Sequence, residues 1–270
     1  MRRALRLVGA FLRRDLIVDF SYRGSFVFTL AGAVFTLWSL YFLGRTFGTG
    51  SPLLSMSGGD YFRFALVGVS LAVPLRAGMG GVSRRVRELQ HFGGLETLVS
   101  APVPPFASIL LVALYPLLNS VARGVLLFAT GVIAFGARFP EANASAALAA
   151  LALGMAAYLG FGILSASMVI WLKRGDPVAW AVDALTFLVS GILYPVEVLP
   201  PALHKVAAMV PATHALRALR RSLLQGAGVG DLSSELLALV AFSAVLLPAS
   251  ALVLRAALRK AARDGSLGQA

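Results

Sequence analysis

The stretch that decides the fold reads RRVRELQHFGGLETLVSAPVPP and covers residues 84–105. It carries three arginines at its start, two glutamates, a Gly-Gly pair and a proline-rich end, and long apolar runs flank it on both sides. Its charges make it too polar to enter lipid. Its glycine pair and its proline-rich end indicate defined turns, which a flexible linker does not need. We therefore predict a cytoplasmic docking element containing a coupling helix, with apolar segments on either side that move with it.

The composition is that of a membrane protein. Of the 270 residues, 58% are hydrophobic and 13% are charged, whereas soluble domains carry about 25% charged residues. The net charge is +12, but the basic residues sit at the ends of apolar runs, which is typical of membrane topology rather than of nucleic-acid binding. The chain has no cysteine, which excludes disulfides, thiolate metal sites and cysteine nucleophiles. The expected partner is the lipid bilayer, and no nucleic acid is expected.

Apolar runs of the length of a bilayer crossing recur along the chain. A crossing helix needs about 20 predominantly apolar residues. We predict an all-α membrane protein with a single transmembrane domain, residues 1–270. Its six transmembrane helices are predicted at 24–43, 62–80, 106–135, 146–172, 177–194 and 232–254.

The arginine-rich start, residues 1–23, has apolar residues at helical spacing: Leu5, Val8, Leu12 and Leu16. This periodicity favours an amphipathic helix in the headgroup layer, and an ordinary cytoplasmic flank is the alternative. If the N-terminus is inside, sixteen of the 24 lysines and arginines face the cytoplasm and seven face outside. Because such a bias sets orientation, we predict a multi-pass protein of the cell membrane with both termini cytoplasmic.

One segment after the fifth predicted helix differs from a crossing helix. Residues 195–226 carry four prolines, a glutamate, a lysine and two histidines. Irregular backbone is tolerated at membrane depth only where it is buried in protein or lines a water-filled cavity. We therefore predict two short half-helices, broken at Pro200, Pro201 and Pro211, that form a re-entrant pair on the outer side.

Motifs of catalysis are absent from the sequence. It contains no GxxxxGK[ST] phosphate loop, no HExxH and no GxSxG, which are the usual signatures of nucleotide, zinc-protease and hydrolase sites. His91 lies in the predicted inner loop, and His204 and His214 lie on the predicted outer segment, so we expect no three-histidine metal site. We predict a protein that is not an enzyme and has no catalytic or metal-binding residues. An intramembrane hydrolase stays open, because Ser, His and Asp all occur.

Two groups of residues resemble motifs of a known family. The first is Arg87-Glu88, followed by Gly93-Gly94-Leu95-Glu96, Leu98 and Pro102. The second is the run SGILYPVEVLP at 190–200, followed by Val210-Pro211, Thr213-His214 and Leu219-Arg220. Their order and separation, together with the basic start, the six spans and the short basic tail, make the whole chain similar to ABC-2 type transporter permeases.

The resemblance implies a half-transporter. Two permease chains, identical or different, pair and each docks a separate ATP-binding cassette subunit, which binds ATP and magnesium, so that this chain needs no cofactor. ATP binding then drives alternating access and export of an amphipathic substrate such as a lipid, a drug or a lipid-linked glycan. The resemblance assigns ATPase docking to Arg84, Arg85, Arg87, Glu88, Gly93, Gly94, Leu95 and Glu96. It assigns the outer gate to Pro195, Glu197, Pro200, Pro201 and Pro211.

Polar residues within the predicted spans are candidates for a translocation pathway, because such residues are costly in lipid. They are Arg76, Asn119, Arg123 and Asp183. Arg76 matches Asp183 in predicted depth, so we predict a structural contact between them. Arg123 is predicted about 26 Å from the inner end of its helix and Asp183 about 9 Å, so no direct pair is expected. Arg123 either lines a cavity between two chains or snorkels to the outer surface.

Two other functions remain alternatives to a permease subunit. One is a membrane-embedded enzyme or assembly factor without an ATPase, and the other is a proton-coupled transporter. Proton coupling usually requires carboxylates deep in the spans, for which Asp183 is the candidate. Neither alternative accounts for the predicted docking loop or for the proline-rich outer segment.

Overall fold

The structure is a computed structural model that describes residues 23–47, 60–91, 105–172 and 176–263. These residues form eight α-helices and one 3₁₀ turn, Val196–Val198. The helices are α1 Arg23–Phe47, α2 Tyr61–His91, α3 Pro105–Phe135, α4 Ala144–Leu172, α5 Pro177–Val189, α6 Pro201–Ala208, α7 Pro211–Leu224 and α8 Ser233–Arg263. The predicted interfacial helix at 1–23 lies outside the described residues, apart from its last residue.

Four of the described helices are long and apolar enough to cross a membrane: Tyr61–Gln90, Ala107–Phe135, Ala144–Leu172 and Ser233–Arg263. Large apolar side chains on several helices are exposed, among them Phe35 (72%), Ile133 (83%) and Leu237 (67%). Apolar surface of this kind is expected where lipid, rather than water, covers the protein. The protein therefore has the character of a helical membrane protein, and the six-span count stays a prediction.

The fifth predicted span, 177–194, is wrong as a continuous helix. α5 ends at Val189, and Gly191 takes a positive φ of 82°, a left-handed conformation that stops a helix. Its 13 residues extend about 20 Å, less than the hydrocarbon core of about 30 Å. The first predicted span, 24–43, falls within α1, which has 25 residues.

α2 is longer than predicted. We predicted a span at 62–80 followed by a separate coupling helix within 84–105, but one unbroken helix runs from Tyr61 to His91. Between Gly81 and the end of α2 there is no glycine or proline. The ion pair of Arg85 with Glu88, 2.8 Å apart, supports the last turns at i,i+3 spacing. At 31 residues, α2 is about 46 Å long and exceeds the bilayer core. Residues 92–104 of the docking stretch lie outside the described residues.

Three long helices run in the same direction and one runs against them. α2, α4 and α8 are parallel, since Leu75 and Gly78 of α2 approach Gly154 and Gly162 of α4 in order along both helices. α3 is antiparallel to α2. The two ends of the bundle are called the Asp60 end, where α2 begins, and the Arg87 end, where it finishes. The lengths of α3 and α4 agree with the predicted spans, and α8 extends nine residues beyond 254.

Close contact between α2 and α4 depends on small residues. A Cβ atom at Gly162 would lie 2.2 Å from the carbonyl oxygen of Gly78, so only glycine permits this approach, as is common between membrane helices. Around this contact lies the central core, which includes Leu71, Leu75 and Tyr158. A second core toward the Arg87 end joins α2, α3, α4 and α8.

The proline-rich segment forms the two short helices that were predicted. Pro201 is the first residue of α6 and Pro211 the first of α7, so the prolines start these helices rather than break them, as their fixed φ favours. Ala215 of α7 lies against Gly154 of α4, and the carbonyl of Ser222 accepts a hydrogen bond from Asn143 N at 2.9 Å. α7 therefore runs from the middle of α4 toward the Asp60 end; its re-entrant placement in a membrane stays a prediction.

Candidate functional site

The predicted contact between Arg76 and Asp183 is confirmed. Arg76 Nε donates to Asp183 Oδ1 at 2.8 Å, and Nη2 donates to Oδ2 at 3.0 Å. This two-pronged geometry is the strongest arrangement of an arginine and a carboxylate. The side chains are 57% and 36% exposed in the single chain, although both lie in the middle of apolar helices. The pair thus joins α2 to α5 on an open surface of the bundle.

A buried hydrogen bond attaches α5 to α4 about one helical turn from this pair. The hydroxyls of Tyr158 on α4 and Thr186 on α5 are hydrogen-bonded to each other, and both side chains are buried. Thr186 lies three residues after Asp183, about one turn along the helix. On the outward side, Trp180 is 76% exposed. Asp183 is therefore held at the edge between the buried and open faces of α5.

Arg123 lies about one helical turn from the level of Arg76. Gly124 of α3 approaches the Ser70 carbonyl and the Pro74 ring of α2, and Gly78 approaches Leu117. Arg76 falls between these two contacts. The prediction that Arg123 lies much farther than Asp183 from the inner end of the bundle is therefore wrong. The reason is that α5 begins inside the bundle and not at its end.

The start of α5 explains that error. Its cap residue Asp176 accepts a hydrogen bond from Ser165 Oγ at 2.5 Å, and Ser165 is seven residues, or about 10 Å, before the end of α4 at Leu172. The chain thus returns into the bundle before α5 starts, which carries Asp183 deeper. The described partner of Asp183 is Arg76.

The four predicted pathway residues line one groove. Successive residues of a helix are about 100° apart, so Arg123 lies on the flank of α3 away from Phe128, which packs against the central core. On α2, Gly80 has open space where a side chain would be, and it lies between the flank that meets α3 and the flank that carries Arg76. We call this groove between α3 and α5 the mid-span polar face; its polar residues are Arg76, Asn119, Arg123 and Asp183.

A second ion pair joins α2 to α5 at the Arg87 end. Arg87 Nη2 lies 3.8 Å from Asp176 Oδ2. Asp176 also caps α5 by accepting a hydrogen bond from Ala179 N at 3.0 Å, besides the bond from Ser165. One carboxylate therefore links α2, α4 and α5. Asp176 was not among the residues predicted from the sequence, although an aspartate before a proline is a typical start of a helix.

The predicted docking residues differ in their surroundings. Arg84 is exposed at the end of α2, Arg85 is paired with Glu88, and Arg87 is engaged by Asp176 within the chain. The remaining predicted docking residues, Gly93, Gly94, Leu95 and Glu96, lie outside the described residues. A docking role for this group stays a prediction.

Arg220 of α7 holds the turn that follows α5. It is 5% exposed, and its Nη1 and Nη2 donate to the carbonyls of Gly191 (2.7 Å) and Ile192 (3.0 Å). Its Nε and Nη2 reach the Phe64 carbonyl of α2 at 3.4 and 3.3 Å, and its guanidinium carbon lies 3.5 Å from the centre of the Phe64 ring. Burial lowers the pKa of Arg220 to about 9, so it remains charged at neutral pH. We call this arrangement the Arg220 clamp.

The Arg220 clamp requires a glycine on α2. A Cβ atom at Gly68 would lie 2.1 Å from the Ile192 carbonyl oxygen and 2.7 Å from Arg220 Nη2. The turn after α5 is therefore seated directly on the backbone of α2. Arg220 was quoted in the family resemblance without a role. Its spacing from Ala212 and Leu216, both buried, places it on the apolar stripe of α7, and that position could have indicated a buried cation.

The predicted gate residues surround this turn. Pro195 precedes the 3₁₀ turn, Pro200 precedes α6, and Pro211 is buried at the start of α7. Glu197 is exposed and lies 3.7 Å from Arg217 of α7. The gating role of these residues, with Pro201, stays a prediction. No group of three or more histidines and carboxylates that could hold a metal occurs in the part of the chain that the structure describes.

Comparison of the chain with models of protein families found no match, and no curated protein matched its sequence.

Proposed function

We propose that this chain is the permease subunit of an ABC exporter of the ABC-2 type. It pairs with a second permease chain, and a separate ATP-binding subunit docks on the Arg87 end, which faces the cytoplasm. ATP binding and hydrolysis in that subunit drive alternating access. The cargo is an amphipathic molecule that enters the mid-span polar face from the bilayer and leaves past the turn held by the Arg220 clamp.

The observation that carries this proposal is the continuity of α2. A single helix bears the predicted docking residues Arg84–Glu88 at its end and Arg76 on the mid-span polar face, about 16 Å apart along the axis. Because an α-helix is stiff over this length, a displacement at its end is transmitted to Arg76. A rod of this kind suits a transporter whose energy comes from another subunit.

The two ion pairs extend this transmission to α5. Arg87–Asp176 and Arg76–Asp183 join α2 to α5 at two points along both helices. α5 leads into the turn at Gly191 and Ile192, whose carbonyls the Arg220 clamp attaches to α7. A movement of α2 therefore reaches the proposed outer gate through α5. Coupling of this kind requires an element with two alternative arrangements, and we assign that role to α5.

A proton-coupled transporter is less well supported. Asp183 is the carboxylate that such a mechanism would use, and it accepts two hydrogen bonds from Arg76. Both of its carboxylate oxygens are thus engaged by Arg76 in a contact that joins α2 to α5.

Association with an ATPase tests the proposal. The full chain, carrying an affinity tag, is purified from its native membranes in a mild detergent, and the attached subunits are identified by mass spectrometry. An ATP-binding subunit should copurify and hydrolyse ATP in nanodiscs. Arg84→Glu, at the exposed end of α2, should abolish this association, whereas Arg138→Glu, an exposed arginine at the opposite end, should leave it intact. A chain that purifies without any ATP-binding subunit would contradict the proposal.

A further inference from the structure

Arg123 is a charged side chain with no countercharge among the described residues. It is exposed on α3, a helix that is otherwise apolar and long enough to cross a membrane. No hydrogen bond or ion pair reaches it from any described residue. A charge at this depth is costly in lipid unless it finds a partner or water, so a partner from outside the single chain is expected.

The described residues of a second copy of this chain would not supply that partner. The carboxylates of the described residues lie mostly near the two ends of the bundle: Asp60, Glu88, Glu141, Asp176, Asp231 and Glu235. Those nearer mid-depth, Asp183 and Glu197, each face an arginine already. Two copies would therefore bring two uncompensated arginines together, and the mid-span polar face would become more positive.

We infer that the mid-span polar face binds an anionic lipid, with its phosphate headgroup on Arg123 and its acyl chains on the apolar flank of α3. This inference rests on the proposed function in treating the bound lipid as cargo. A guanidinium matches a phosphate with two parallel hydrogen bonds. Leu126, three residues after Arg123 and on the same side of α3, is partly exposed and offers apolar surface to the chains.

The ion pair across the groove supports the same ligand chemistry. Arg76 is held by Asp183 in a geometry that uses both carboxylate oxygens, so together they contribute little net charge. Arg123 then sets the sign of the face, which carries one net positive charge. A zwitterionic headgroup would also bring a cation close to this surface, so a singly charged anion is preferred over a zwitterion with the same chains.

Tryptophan fluorescence provides the measurement. Trp180 lies three residues before Asp183 and is exposed, so it borders the groove. The other tryptophans, Trp38 and Trp171, are exposed elsewhere and are replaced by phenylalanine in the full chain. Quenching of Trp180 is then measured in mixed micelles with brominated phosphatidylglycerol and, as the matched zwitterion, brominated phosphatidylcholine of the same chain length.

The parent protein should bind phosphatidylglycerol about tenfold more tightly than phosphatidylcholine, because one hydrogen bond to a charged group contributes about that much affinity. Arg123→Gln should abolish this preference, and Arg123→Lys should retain part of it because the charge remains. Arg138→Gln, the matched control, should retain all of it. Equal quenching by the two lipids in the parent protein, or an undiminished preference in Arg123→Gln, would overturn the inference.

Inorganic phosphate distinguishes a lipid from a soluble anion. At the concentration of phosphatidylglycerol that half-saturates the site, an equal concentration of phosphate should not relieve the quenching. Displacement by phosphate would show a simple anion site and overturn the assignment to a lipid. Loss of the lipid preference with an ATP-binding subunit still attached would overturn this inference alone, and lipid binding without such a subunit would overturn the proposed function alone.

Discussion

Arg220 and Arg123 are both arginines on helices of the bundle, yet their surroundings are opposite. Arg220 is buried and donates to three backbone carbonyls of two segments, whereas Arg123 is exposed and no described residue pairs with it. A buried cation whose donors are occupied by the protein's own backbone serves the fold. A cation left open on the surface of the bundle has its donors available to a ligand. Whether an arginine's donors are occupied by the backbone therefore distinguishes an arginine that stabilises the fold from one that can bind a ligand.

The largest effect is expected from removing the Arg220 side chain. Arg220→Met should leave the carbonyls of Gly191, Ile192 and Phe64 buried without donors, at a cost of about 3 kcal/mol or more. The melting temperature in detergent should fall steeply, or the protein should fail to fold. Arg217→Met, on the exposed side of the same helix, is the control and should change little. Equal stability of the two variants would show that Arg220 is not a clamp.

A methyl group on α2 should disturb the same turn from the other side. Gly68→Ala places a Cβ atom 2.1 Å from the Ile192 carbonyl oxygen, so the turn must shift, which we expect to cost about 1–3 kcal/mol. Gly80→Ala on the same helix meets no atom within 4 Å and should stabilise by up to about 1 kcal/mol through helix propensity. The two melting temperatures should move in opposite directions; a common shift would contradict the seating of the turn on α2.

The Arg76–Asp183 pair should contribute less to stability than to coupling. Both side chains are partly exposed, so Asp183→Asn should cost about 1 kcal/mol or less. If α5 transmits movement from α2, the same substitution should uncouple ATP hydrolysis from transport. A double-mutant cycle of Arg76→Gln and Asp183→Asn, read by melting temperature and by transport in proteoliposomes, separates the two effects. Full transport in both single variants would remove the pair from the mechanism.

The smallest effect on stability is expected at Arg123. Arg123→Gln breaks no contact with a described residue, so the free energy of unfolding in lipid-free detergent should stay within about 0.5 kcal/mol of the parent protein. Denaturant titration followed by circular dichroism measures this directly. A loss of stability as large as that of Arg220→Met would show that Arg123, like Arg220, serves the fold.

Helix positions could be predicted from the sequence where one local property determined them. Apolar run length predicted α3 and α4 closely, and the prolines at 200, 201 and 211 predicted the two short helices. Matching depths predicted the contact of Arg76 with Asp183. In each case the deciding property, namely length, ring geometry or the cost of a charge in lipid, belongs to the segment itself.

The parts that could not be predicted depend on contacts between distant segments. α5 ends early because the turn at Gly191 is seated on Gly68 and held by Arg220, residues far away in the chain. The deeper position of Asp183 depends on Asp176 returning to Ser165 of α4. The unbroken course of α2 was missed because the charged run that begins at Arg84 was interpreted as a boundary, although charged residues do not stop a helix that is packed along its length.

The parallel course of α2, α4 and α8 has an electrostatic consequence. Each helix carries a partial positive charge, roughly +0.5, at its first turn and the opposite at its last, so three parallel helices add their macrodipoles. Their negative poles meet at the end where Lys260 and Arg263 occupy the last turn of α8, while Asp60 and Glu235 stand at positive poles. Basic residues at the negative poles and carboxylates at the positive poles thus partly neutralise the summed dipole.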